Sequence, residues 1–157
     1  MAATIPTIKK IMVDFFDRQK KIKITIIDDE IGLVETVREF LESRGFQVNY
    51  AYAGKVGLDI IRNTLPDLVI LDLSIPDMDG RDILSKLKKN INTKNLPVII
   101  LTGKTGGFDK ELAIELGADS YVTKPYDGYF LLREINYIIN KKKKENEKKD
   151  KRGGYKI

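Results

Sequence analysis

A chain of 157 residues with 42% hydrophobic content is long enough for one ordinary domain with tails and too short for two. It has neither cysteine nor histidine, which excludes disulfides, thiol nucleophiles, Ser-His triads and the usual zinc or iron ligand sets. The formal net charge of +5 lies at the ends: Met1 to Lys21 carries five basic and two acidic residues, Lys141 to Ile157 nine and three, and the stretch between fourteen and eighteen.

The first element is an amphipathic helix. Ile8, Ile11, Met12, Phe15 and Phe16 recur at helical spacing within residues 1–21, which form a helical extension. From residue 22 to 140 strand-like and helix-like segments alternate five times, the signature of an α/β domain with a parallel sheet. The strands fall at Ile22 to Ile27, Phe46 to Ala51, Leu68 to Leu71, Val98 to Leu101 and Ser120 to Thr123. Between and after them, five helical faces are marked by Val34, Val37 and Leu41; by Leu58, Ile61 and Leu65; by Ile83, Leu84, Leu87 and Ile91; by Phe108, Leu112 and Leu116; and by Leu131, Ile135 and Ile138. Gly45 and Gly117 stand where left-handed helix ends favour glycine, and Pro66 and Pro97 in turns that lead into strands. Residues 141–157 form a lysine-rich tail that continues the last helix and then becomes solvated.

LVIL and VIIL are apolar on both faces, as central strands are, while FQVNYA alternates and SYVT is mixed, as edge strands are. The flavodoxin-like doubly wound order 2-1-3-4-5 satisfies this pattern, with its switch point between strands one and three. Asp28 and Asp29 follow strand one and Asp72 follows strand three, so three carboxylates share that crevice. Lys124 follows strand five and Thr102 ends strand four. Clustered carboxylates repel one another and call for a cation, and with only oxygen ligands to hand magnesium, calcium or manganese are the candidates. A lysine and a hydroxyl on the same rim suit an incoming phosphoryl group, so these pieces point to phosphoryl transfer onto a carboxylate.

The acidic pair in IIDDE, the stretch LVILDLSIPDMDG, the hydroxyl in VIILTG and the run GADSYVTKPY together resemble a response regulator receiver domain (CheY-like) of two-component signal transduction. The separations agree, at 30 residues from Asp72 to Thr102 and 22 from Thr102 to Lys124. The resemblance implies a stand-alone response regulator, a phosphoprotein and not a turnover enzyme. Asp72 would accept a phosphoryl group from the phosphohistidine of a sensor histidine kinase or histidine phosphotransfer protein. Asp29, Asp72 and the backbone carbonyl of Ser74 would bind Mg2+, or Mn2+ in its place, with Asp28 acting through a coordinated water. Lys124 would pair with the acceptor, Thr102 would swing towards the phosphoryl group, and Tyr121 would move inward. The surface of the fourth helix, fifth strand and fifth helix (the α4-β5-α5 face in the family's own count) would change in response and control binding of a downstream protein target. Lys124-Pro125 is cis in relatives, and Ser74 and Lys104 occupy positions that tune the lifetime of the phosphorylated state.

Each residue also has a plainer use. Asp28 and Asp29 could cap a helix, Asp72 could be a turn residue and Tyr121 simple packing; what those uses leave unexplained is the whole set on successive rim positions. A constitutive receiver-fold scaffold and a Mg2+-dependent phosphatase are the alternatives, but the phosphatase would place its nucleophile after strand one with a second Asp two residues on. The amino-terminal helix has to cover its apolar face, with its own domain or a second copy (a homodimer) preferred to another partner or a membrane. Nucleic acid is not favoured, because the basic charge is confined to the ends. No stretch approaches the ~20 apolar residues of a membrane span, and the amino terminus lacks a signal peptide's apolar run, so the expected location is cytoplasmic.

Overall fold

Runs of Ile, Val and Leu become a five-stranded sheet because a strand covered on both faces has to be apolar on both. In the computed structural model, residues 5–153 are described, without the side chains of 17–19; residues 1–4 and 154–157 of the two extensions lie outside the described residues. In chain order the elements are α1 (Ile8–Gln19), β1 (Lys23–Ile27), α2 (Ile31–Ser43), β2 (Gln47–Ala51), α3 (Gly54–Thr64) and β3 (Leu68–Leu71). They continue with β4 (Ser74–Ile75), β5 (Met78–Asp79), α4 (Gly80–Lys89), β6 (Val98–Thr102), α5 (Gly107–Glu115), β7 (Ser120–Thr123) and α6 (Gly128–Gly153).

The main sheet is parallel, in the order β2-β1-β3-β6-β7. This is the expected flavodoxin-like order, since β4 and β5 form a separate two-residue antiparallel pair. Alternation along each strand divides the core. Leu68 and Ile70 of β3 face Val34, Val37 and Leu41 of α2 and Leu131, Ile135 and Ile138 of α6. Val69 and Leu71 face the opposite layer, where Leu58 and Ile61 of α3 and Ile83, Leu84 and Leu87 of α4 pack. A one-residue slip of β3 would exchange these two sets, so packing on both sides fixes the register.

Gly45 and Gly117 adopt φ of 90° and 104°, the left-handed ends that the sequence pointed to. Three expected face residues lie elsewhere. Leu65 caps α3 in a left-handed conformation at φ 44°, which turns its side chain off the helix face and leaves it 58% exposed. Ile91 lies beyond the end of α4, and Phe108, in the first turn of α5, is 73% exposed. Helix α6 runs unbroken through residue 140, with Ile139 its last buried residue, and spans about 39 Å. Every described side chain from Ile5 to Phe16 is exposed.

Candidate functional site

Parallel strands deliver their carboxyl ends to one rim, and the crevice opens where β1 and β3 lie side by side with crossovers running in opposite directions. Asp28 follows β1 and Asp72 follows β3, and their backbone N–H groups donate to Ala51 and Ile27 carbonyls, which continue the ladder to the carboxylates themselves. Both are nearly fully buried, whereas Asp29 is exposed. One carboxylate oxygen from each of the three lies within 4.8 Å of the others. Such a donor set is hard, anionic and compact enough for a single divalent cation, with Asp29 on the open side.

Lys124 reaches into this cluster from the end of β7. Its Nζ lies 2.7 Å from Asp28 Oδ2, 3.1 Å from Asp72 Oδ2 and 3.4 Å from Glu30 Oε2. Burial alone would lower the lysine pKa, but the hydrogen bonds to Asp28 and Asp72 outweigh it and hold the ammonium well above its ordinary value. For Asp28 burial dominates and raises the pKa, against the opposing hydrogen bonds from Lys124 and the Glu30 N–H. Three carboxylates against one ammonium leave a net negative pocket that favours a cation.

The acceptor loop is held from its own backbone. Ser74 N–H donates to Asp72 Oδ1 at 3.1 Å, fixing the carboxylate's orientation. Gly80 is packed so closely on the Asp72 carbonyl and Leu73 that any Cβ would collide with backbone. Asp79 caps α4 by accepting the Arg81 N–H, and it also binds the Arg81 guanidinium at 2.7 Å. Asp77 accepts the Gly54 and Lys55 N–H groups at the start of α3, so the loop after β3 is tied to a neighbouring helix.

Thr102 is fully buried at the end of β6, and its carbonyl accepts the Lys124 N–H at 2.8 Å. Thr102 Oγ1 accepts the Lys104 N–H at 3.4 Å, while the Tyr121 hydroxyl donates to the Lys104 carbonyl at 2.7 Å. Lys104 thus links the hydroxyl at the strand end to the tyrosine on β7. Partial burial, with Asp109 and Asp72 nearby, raises the Tyr121 pKa. The Lys124-Pro125 peptide is cis.

Asp28, Asp29, Asp72 and Lys124 are therefore in one cluster, with Ser74 joined through its N–H. Thr102 and Tyr121 lie along its flank and touch Lys104 rather than the carboxylates. Sequence reasoning did not single out Glu30, although it stood in the quoted IIDDE run, and it gave Asp77 and Arg81 no role. Asp77 finds its partners at the start of α3, and Arg81 bridges the neighbouring Asp79 to Asp109 of α5; the contacts to α3 and α5 are ones that no local pattern could have disclosed.

The family profile described as "Response regulator receiver domain" matches residues 24–136. The chain is similar to a CheY-like response regulator receiver domain protein from Methanospirillum hungatei JF-1, at 28% identity and TM-score 0.76, covering 80% of this chain and 99% of that one. It is also similar to a response regulator receiver domain protein from Clostridium thermocellum, at 38% identity and TM-score 0.71, covering 78% and 97%. A third likeness is to a putative response regulator from Chloroflexus aurantiacus J-10-fl, at 29% identity and TM-score 0.74, covering 77% and 99%.

Proposed function

The chain belongs to the response regulator receiver domain family, and from that premise we propose that Asp72 is its phosphoacceptor, switched by phosphorylation to control contact with another protein. Receiver domains are signalling domains that work with histidine kinases or phosphotransfer proteins, and they bind Mg2+ through an acidic pocket. The observation that carries the proposal is the buried Asp72 carboxylate, held by the Ser74 N–H on one oxygen and by Lys124 on the other.

In the proposed reaction an Asp72 carboxylate oxygen attacks the phosphorus of a partner's phosphohistidine. The new O–P bond forms as the P–N bond breaks, and the departing electron pair returns to the imidazole. No residue of these 157 is histidine, so the donor lies outside them. Asp29, Asp72 and the Ser74 carbonyl would hold Mg2+, or Mn2+ in its place, with Asp28 behind a coordinated water. The ion would neutralise charge on the transferred group. Lys124 stays charged throughout, and the phosphoryl oxygens would draw it from Asp72; the group carries roughly −1.5 to −2 in place of the carboxylate's own single charge, so the pocket gains at most about one negative charge.

That charge has a short path to the surface. Thr102 would exchange its Lys104 contact for a phosphoryl oxygen, which frees the Lys104 segment and with it the Tyr121 hydroxyl. The face of α5, β7 and α6 would then present a different surface to its target. Residues 22–140 make up this switch, with 1–21 and 141–157 as appendages, and α1 pairs two copies through its apolar side. The proposed location is the cytoplasm; no helix among the described residues is long and apolar enough to cross a membrane.

The test is incubation with Mg2+ and acetyl phosphate, followed by intact-mass measurement. One acid-stable, base-labile phosphoryl increment is expected, and none in Asp72→Asn. An increment that survives that substitution assigns the acceptor elsewhere.

A further inference from the structure

At the opposite ends of the same strands, about 15 Å from the carboxylates by strand length, lies a cavity of about 340 Å³. Its lining includes Ile22, Asp67 and Pro97, the residues that lead into β1, β3 and β6. Three observations about it are independent of the acidic site. The first is its wall. Lys142, Glu145, Asn146 and Lys149 recur at helical spacing on one face of α6, so one wall of the cavity is built from turns beyond residue 136, where the family match ends.

The second is an unbalanced charge on an apolar floor. Pro66, Leu96, Pro97 and Ile139 supply the floor. The two acidic groups are already engaged, since Asp67 Oδ2 accepts the Lys23 N–H at 2.8 Å and Glu145 lies 4.0 Å from Lys142 Nζ. Among the described residues no carboxylate lies within ion-pair distance of Lys143 or Lys149. The third is Leu65 at the lip. It is the one non-glycine among the described residues with positive φ, at 44°, and that conformation holds a large apolar side chain open to solvent.

We propose that this cavity binds a small organic anion, with its apolar body on the Leu96, Pro97 and Ile139 floor beside Leu65 and its carboxylate or phosphate head on the α6 lysines. The volume lies in the range of small-molecule sites, where a few polar groups orient a ligand held by apolar contact. A polyanion such as nucleic acid would need a phosphate-spaced basic track, and this rim offers one half-open pocket.

The test uses 8-anilinonaphthalene-1-sulfonate as an apolar-bodied anion, with octanoate as competitor, on the full chain. One saturable site is expected, displaced by octanoate, with amide NMR shifts at Leu65, Leu96, Ile139 and Asn146. Asn146→Trp, which fills the cavity from an exposed position, lowers affinity about tenfold or more. Lys149→Glu lowers it a few-fold at low salt and less at high salt. Unchanged affinity in Asn146→Trp, or shifts confined to Ile8–Phe16 of α1, overturns the proposal. Each variant is checked for an unaltered melting curve and for the acetyl phosphate adduct, so that failure here is distinct from failure of the acceptor.

Discussion

Asp28 and Asp72 are buried in a protein with ample surface for charges, and the reason lies in what a strand end can do. Each carboxylate stands one residue past an apolar strand, with its backbone still in the ladder, so its position is set by the sheet rather than by a loop. The cost is electrostatic. Because the folded pKa of Asp28 is raised, the native state binds more protons than the unfolded chain above pH 3.8, and stability falls as pH rises through that window. Asp28→Asn is therefore expected to stabilise the fold at pH 7, with the gain shrinking as pH falls to 3.8 and below; denaturant melts at several pH values measure it. Gly80→Ala acts oppositely. Its Cβ meets the Asp72 carbonyl and Leu73 backbone, so we expect a loss of about 1–3 kcal/mol in the same melts and impaired phosphorylation by acetyl phosphate.

Elements were legible in proportion to their apolar periodicity. The strands β3 and β7 begin and end at the residues their composition marked, because LVIL is covered on both faces and SYVT is followed at once by Lys124-Pro125. The β4-β5 pair was not legible, since two residues per strand carry no period, and it exists because Pro76 and Asp77 turn the chain so that Met78 and Asp79 pair with Ile75 and Ser74, with the Gly80 N–H donating to the Leu73 carbonyl. Leu65 was misplaced for a related reason. Spacing extends a helical face beyond the last hydrogen-bonded turn, and only the cap conformation ends it. The acidic cluster was legible because topology alone brings strand ends together, whereas Asp77, bonded across 23 residues to Gly54, was not. Hydrogen bonds from Gly54 and then Lys55 lower the Asp77 pKa, so its stabilising effect is present above pH 3.8 and lost as pH falls through the folded value. Asp77→Ala is expected to lower the unfolding midpoint at pH 7 and to lower it progressively less as pH falls below 3.8, with faster amide exchange at the first turn of α3.

For the whole molecule, the doubly wound core separates physically from α1, whereas α6 carries on from the core into the lysine-rich stretch without a break. The core layers are complete without α1, whose described side chains are all exposed. Deleting residues 1–20 is expected to leave the unfolding free energy within about 0.5 kcal/mol of the full chain, and to lower the mass seen by light scattering if α1 pairs two copies. A large loss of stability would show that α1 packs on its own domain. The amphipathic pattern was plain in sequence, yet a pattern names a face without naming what covers it.

The central claim is that one buried carboxylate receives the phosphoryl group. Borohydride reduces an aspartyl phosphate to a primary alcohol, which peptide mapping by mass spectrometry assigns to a single position. After treatment with acetyl phosphate and Mg2+, reduction at Asp72 alone is the predicted result. Reduction at Asp28 or Asp29, or none at any carboxylate, would contradict it.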